Sequence, residues 1–354
     1  MNRLERAEAP TQGDCRRGLI SIVLSFFNEA NVLVELIQRL RNTLQPLRAR
    51  GTISGYELVF VNDSSTDQSL DVLRREQAAQ RDIVIVNMSR NFGNSECVLA
   101  GMAQARGDAV IYMDADLQDP PELIPELIKR WQEDPEVEVV YTTRRSRAGE
   151  HPLKLLITKY GYRLINRIAD IPLPVDSGDF KLLSRRAIDE LLQLKEKQPY
   201  VRGLVCWVGF KQAQVFYDRL PRFDGREQTK FPVLSRRVLS GYLDKALISF
   251  SDVPLKMVLI LGLCVAGLAV LYFLVILLQK VMGWYEPGWP SIMATMLLLG
   301  GTQLIVLGIM GLYINTIFLE SKRRPNYIIK EVLRPEGDGV KVEVPQRAPA
   351  PSES

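Results

Sequence analysis

Over the first 143 residues, short apolar runs alternate with longer amphipathic stretches. The runs at 19–25, 58–62, 83–88, 109–113 and 137–143 are rich in Val, Ile, Leu and Tyr and too short for helices, so they predict strands. The stretches at 30–50, 66–80, 94–105 and 122–133 are of helical length and mix polar with apolar positions, which predicts helices. Strand alternating with helix predicts an α/β fold with a mainly parallel sheet. In such a sheet ligands bind at the carboxyl ends of the strands.

The last third reads differently. Residues 257–278 and 291–319 contain no charge. A bilayer core needs about 20 apolar residues per helix, and both runs reach that length. Trp284, Tyr285 and Trp289 in the link between them suit a membrane–water interface. The pattern predicts a transmembrane helical hairpin within 255–320. Lys245 and Lys256 precede it and Lys322, Arg323 and Arg324 follow it, with only Lys280 towards the loop side. Positive residues stay inside, so both termini and the large N-terminal region are expected in the cytoplasm, on an integral protein of the inner membrane. No secretory signal opens the polar, flexible tail 1–18.

Between the two regions, Phe231, Leu234, Val238, Tyr242, Ala246 and Phe250 recur at helical spacing. This juxtamembrane segment, 231–254, reads as an amphipathic helix that lies in the headgroup plane or packs on the soluble domain, 19–230. The remainder, 321–354, reads as a cytoplasmic tail. Its Pro335, Pro345, Pro349 and Pro351 and scarce apolar residues predict disorder from 334 onward.

Composition narrows the chemistry. The 354 residues are 47% hydrophobic and 24% charged, which excludes a disordered chain. Lys and Arg number 45 against 41 Asp and Glu, and a net charge of +4 is too mild to point to nucleic acid. Cys15, Cys97, Cys206 and Cys264 form no CxxC pair, which argues against a zinc site or a disulfide framework. His151 is the single histidine, so HExxH zinc hydrolysis is excluded.

Polar clusters close three of the strands. Phe26-Phe27-Asn28-Glu29 follows the first, Asn62-Asp63-Ser64-Ser65-Thr66-Asp67 the second and Asp114-Ala115-Asp116-Leu117-Gln118-Asp119-Pro120-Pro121 the fourth. No GxGxxG follows the first strand and no GxxxxGK[ST] occurs, so the dinucleotide and P-loop readings lose their motif. Asp114 and Asp116 repel each other unless a cation lies between them. Hard carboxylate ligands select Mg²⁺ or Mn²⁺. The alternative is that this cluster caps the next helix, with Asp119 the better cap.

These three motifs resemble those of family 2 inverting glycosyltransferases of GT-A fold. More narrowly, the chain is similar to the polyisoprenyl-phosphate glycosyltransferases, the group of dolichyl-phosphate mannose synthase and the bacterial GtrB and ArnC-type enzymes. The resemblance runs from about residue 19 to 324 and includes the two C-terminal apolar runs. It implies a GT-A, Rossmann-like nucleotide-sugar domain. It implies that Asn28, Glu29 and Asp63 line the nucleotide site, that Asp114, Asp116 and Gln118 hold Mg²⁺ or Mn²⁺, and that Arg144 meets the acceptor phosphate, helped by Lys159. It further implies that Arg222 and either Arg226 or Lys230 meet the donor diphosphate, and that Asp176 and Asp179 stand near the reacting centre with Asp116. Asp179 reads equally as a base or orienter and as a structural carboxylate paired with Lys181 or Arg185.

The sequence departs from the pattern at Phe26-Phe27, where the family often has Pro, and in the long spacing from Gly225 to Lys230. The Gln-x-x-Arg-Trp motif of processive polymer synthases is absent. The implied reaction is transfer of one sugar from a nucleotide-diphosphate sugar, UDP-glucose first, to a polyisoprenyl phosphate such as undecaprenyl phosphate. GDP-mannose or an aminoarabinose-type donor, or a catalytically silent membrane-anchored binding protein, are the alternatives. The related bacterial enzymes imply a tetramer.

Overall fold

The computed structural model describes residues 16–144, 177–197, 199–220, 223, 288–336 and 339–343, and part of 258–282. Two compact units make up the chain. One comprises Met1–His151, Leu173–Lys230 and Pro325–Ser354, the other Pro152–Pro172 and Phe231–Arg324.

In the first unit, strands β1 (Leu19–Phe26), β2 (Gly55–Asn62), β3 (Ile83–Met88) and β4 (Ala109–Asp114) alternate with helices α1 (Ala30–Ala49), α2 (Ser69–Ala79) and α3 (Asn94–Gln104). All four strands are parallel, and β1 lies between β2 and β4. A 3-10 turn at Pro121–Leu123 and α4 (Ile124–Glu133) lead to β5 (Val139–Arg144). Next come β6 (Ser177–Ser184), α5 (Arg185–Gln193), α6 (Val201–Trp207) and β7 (Gln212–Tyr217). Among the described residues the sheet has nine strands in the order β7-β5-β6-β4-β1-β2-β3-β8-β9. β6 runs antiparallel to both β4 and β5, so one reversed strand interrupts the parallel set.

Burial on both faces explains why the parallel strands read as nearly continuous apolar runs. Ile20, Ile22 and Leu24 of β1 join Leu36, Ile37 and Leu40 of α1 and Leu127 and Ile128 of α4 in the main core. On the opposite face Val23 and Val61 meet α3 at Gly101. A Cβ there would collide with Val23 Cγ1 and lie 2.9 Å from Val61 Cγ2. Close approach of helix to sheet therefore requires glycine at this position.

The expected disorder of 334–354 fails for the first part of that range. β8 (Ile329–Glu336) pairs antiparallel with β3, and β9 (Gly339–Glu343) pairs with β8. Val332 and Leu333 are buried. Gln77 Nε2 donates to Leu333 O at 3.0 Å, and Arg334 Nη2 donates to Gln104 O at 2.5 Å. Arg334, the first residue of the stretch expected to be disordered, is itself buried and ties this hairpin to α3. Residues 344–354 lie outside the described residues.

In the second unit, α7 (Trp289–Ser321) matches the later apolar run. Its stretch Leu298–Ser321 is long and apolar enough to cross a membrane, the one such helix among the described residues. Leu298, Leu304, Leu307 and Ile317 stand exposed along it. A helix apolar on all sides suits a lipid surround. Of the earlier run only scattered residues from 258 onward are described, and they are helical. The expected juxtamembrane helix at 231–250 lies outside the described residues, as do 1–15 and His151.

Candidate active site

The strand order reverses at β1, flanked by β2 and β4, and the crevice at such a point is where open α/β sheets bind ligands. The register sets the motifs side by side. Ser25 of β1 pairs with Asp114 of β4, and Phe26 pairs with Asn62 of β2. A cleft opens over this row, lined by Phe27, Glu29, Asp63, Asn94, Asp114 and Asp116.

Each loop is held in a special backbone shape. Asn28, Ser64 and Leu117 have positive φ, 58°, 61° and 58°, and each sits in one of the three clusters. Such conformations are uncommon for residues with a Cβ and gather where tertiary contacts enforce them. Here the contacts are visible. Asn28 N donates to Ser65 Oγ at 3.0 Å, and Asn28 Oδ1 accepts from Thr66 N at 2.8 Å. Asp67 accepts from Ala30 N at 3.2 Å and from Ser69 N at 3.0 Å. These bonds occupy the residues expected to open α2, which is why the helix starts at Ser69 rather than at Thr66.

Asp63 faces the third wall. Its two carboxylate oxygens accept from Phe92 N at 2.7 Å and Gly93 N at 3.0 Å, ahead of α3. It is buried and shapes the cleft through that loop. Asn94 bridges β1 to β4: Ser25 Oγ donates to Asn94 Oδ1, and Asn94 Nδ2 donates to Asp114 Oδ1 at 3.2 Å.

The acidic cluster concentrates negative charge around Asp114. Burial first, then the charges of Asp179, Asp116 and Asp119, push the Asp114 carboxyl up to about 7. Asp116 Oδ1 accepts from Gln118 N at 3.1 Å. Among the described residues no three His, Cys, Asp or Glu side chains converge with metal-binding geometry. Asp114 and Asp116 offer two hard carboxylates to a divalent cation, and the Gln118 amide oxygen is the candidate third protein donor. Gln118 Oε1 is buried without a hydrogen-bond partner, so the donor set fits a hard cation.

Asp119 does not cap the following helix. The 3-10 turn has no side-chain cap, and the Asp119 carboxylate, 1% exposed, is taken by the Tyr217 hydroxyl. Arg219 Nε lies 3.7 Å from the same carboxylate, and Arg144 Nε donates to Tyr217 Oη at 3.5 Å. Arg144 thus stands at the end of β5, beside the acidic cluster. Asp179 of β6 pairs with neither Lys181 nor Arg185. Both of its oxygens accept from the Arg202 guanidinium, while Arg185 donates to the carbonyls of Ala105 and Gly107. Burial would raise the Asp179 carboxyl, but the hydrogen bonds and charge of Arg202 hold it below the ordinary range.

The structure therefore brings Asn28, Glu29, Asp63, Asp114, Asp116 and Gln118 to one edge of the sheet, with Arg144 and Asp179 on the adjoining strands. Asp176, Lys159, Arg222, Arg226 and Lys230 lie outside the described residues. Sequence reasoning missed Arg202, Tyr217 and Arg219. The signal for the last two was available, because they close a short Val-Phe-Tyr run in the manner of the other strand-end clusters.

Comparison with known proteins gives a consistent picture. A model of "Glycosyl transferase family 2" matches residues 21–192. An uncharacterised glycosyltransferase of Bacillus subtilis, YkcC, is 42% identical over 88% of this chain and 93% of its own length. The bactoprenol glucosyl transferase of Shigella phage SfV is 34% identical over 88% of this chain and 98% of its own. Among solved structures, glucosyl-3-phosphoglycerate synthase of Mycobacterium tuberculosis is 20% identical with a TM-score of 0.42, covering 64% of this chain and 78% of that one. That likeness is too distant to carry an argument about the site.

Proposed function

Because the chain belongs to glycosyl transferase family 2 and is a glycosyltransferase, we propose that it moves one sugar from a nucleotide-diphosphate donor to a polyisoprenyl phosphate at the cytoplasmic face of the membrane. UDP-glucose and undecaprenyl phosphate are the first donor and acceptor; GDP-mannose and aminoarabinose-type donors are the alternatives. The carrying observation is the near full-length match to phage SfV bactoprenol glucosyl transferase, which spans both the cleft and α7.

The chemistry follows from the cleft. The loops carrying Asn28, Glu29 and Asp63 receive the nucleotide, with Arg222, Arg226 and Lys230 proposed for its diphosphate. Asp114, Asp116 and Gln118 would hold Mg²⁺ or Mn²⁺. Such a cation supplies Lewis-acid stabilisation of the charge that develops on the leaving diphosphate. An acceptor phosphate oxygen attacks the anomeric carbon from the face opposite the diphosphate. The new C–O bond forms as the old one breaks, and the nucleoside diphosphate departs with inversion at carbon.

A phosphate monoester, with a second pKa of about 6, is largely ionised at neutral pH. Orientation then matters more than proton removal. Arg144, with Lys159, guides the acceptor, since a guanidinium fork suits phosphate. Asp179, held ionised by Arg202, orients rather than deprotonates, and Asp176 is proposed beside it. The proposed membrane hairpin and juxtamembrane helix would raise the local concentration of lipid acceptor, and α7 is long and apolar enough to serve as one of its spans. A tetramer is proposed on the family resemblance.

The test is incubation of the purified chain with undecaprenyl phosphate and a panel of sugar nucleotides. One sugar per lipid supports this reading. No product with any donor supports a silent binding protein, and sugar chains support a polymer synthase.

A further inference from the structure

Glu331, Asn87 and Asn62 pair in register across β8, β3 and β2, so their side chains share one face of the sheet. They form an unbroken hydrogen-bond chain. Asn87 Nδ2 donates to Glu331 Oε1 at 2.7 Å, Asn62 Nδ2 donates to Asn87 Oδ1 at 3.1 Å, and Ser65 N donates to Asn62 Oδ1 at 2.9 Å. Ser65 then holds Asn28 N through its hydroxyl at 3.0 Å.

The polarity of this chain is fixed from both ends. A backbone N–H can only donate, so Asn62 must present its oxygen to Ser65 and its amide hydrogens to Asn87. Asn87 must then donate outward, and it needs an acceptor at the far end. Glu331 is that acceptor, and the Arg74 guanidinium lies 3.7 Å from the same carboxylate oxygen. Asn62 and Asn87 are 5% and 4% exposed, so water does not easily replace a lost partner. The C-terminal hairpin, reached only after α7, thereby bears on the loop that meets the nucleotide.

We propose that Glu331 is a positioning residue for the donor: through Asn87 and Asn62 it locks the Asp63–Asp67 loop in its binding shape. This rests on the reading of that loop as the nucleotide site. Loss of the acceptor leaves a buried amide donor unpaired and frees the loop, which weakens donor binding without touching the acceptor or the reacting centre.

The test uses the full-length chain. Backbone hydrogen exchange is followed for the peptide covering 62–69, together with donor KM, acceptor KM and kcat. In Glu331→Ala, exchange of that peptide is expected to be roughly tenfold faster and donor KM roughly tenfold higher, with acceptor KM and kcat within about twofold. Glu331→Gln keeps the acceptor oxygen and is expected to restore both. If Glu331→Ala does not fold, Asn87→Leu interrupts the same chain without altering β8. A folded variant with unchanged exchange and unchanged donor KM overturns the proposal, and so does equal loss in the Gln variant. A wild-type chain that used no sugar nucleotide would remove the functional reading alone. The exchange result would still decide the relay, faster exchange keeping it and unchanged exchange removing it.

Discussion

Arg202 of α6 grips both carboxylate oxygens of Asp179 on β6. The pair is mostly buried, so burial and pairing act on the carboxyl in opposite directions, and pairing wins. A depressed carboxyl contributes stability above its unfolded value of about 4, and that contribution is lost as pH falls below it. Without Arg202, burial alone would raise the carboxyl and move the loss to higher pH. Arg202→Ala is therefore expected to destabilise the fold by about 2 kcal/mol at pH 7 and to unfold at a higher pH than wild type. Acid titration by circular dichroism checks this, and an unchanged midpoint would show that the pair contributes nothing.

Asp116→Asn removes one of two carboxylates proposed to hold the cation. Sugar transfer is expected to fall at least roughly a hundredfold at saturating Mn²⁺, with a melting temperature near that of wild type. Full activity in this variant would reject the metal assignment.

Tyr217 links Arg144 to Asp119, accepting from one and donating to the other. Tyr217→Phe leaves Asp119 buried without that donor. A stability loss of about 1–2 kcal/mol is expected in urea unfolding, with a higher acceptor KM as Arg144 loses its support. An unchanged acceptor KM would separate Arg144 from the acceptor.

The Asp motifs were legible because each ends an apolar strand buried on both faces, where polar residues stand out. The strands that carry their partners were not. β6 holds Lys181, 1% exposed, in the middle of its buried run, and β7 alternates buried with exposed positions at the sheet margin. β8 reads Ile-Lys-Glu-Val-Leu-Arg-Pro-Glu, a charged, proline-bearing pattern that argues against a strand paired on both sides, yet it lies between β3 and β9. It resembles a solvated tail until Arg334 is seen buried against Gln104. Pairing partners far apart in sequence, such as Asp179 and Arg202 or Asn87 and Glu331, leave no local signal at all.

Gly101 allows α3 to lie on β1 and β2, and that helix begins at Asn94, which bridges Ser25 to Asp114. Gly101→Val is expected to cost about 3 kcal/mol or more by overpacking, and Gly101→Ala about 1–3 kcal/mol. Chemical denaturation measures both, and a neutral Gly101→Val would mean that the helix can move away without penalty.

The most direct measurement is the product formed from undecaprenyl phosphate and UDP-glucose by the purified full-length chain, with and without Mn²⁺, read by mass spectrometry. The expected result is a lipid phosphate carrying one hexose, formed only with the metal and lost in Asp116→Asn. Absence of any glycolipid across the full panel of sugar nucleotides, or a ladder of several sugars on one lipid, would contradict it.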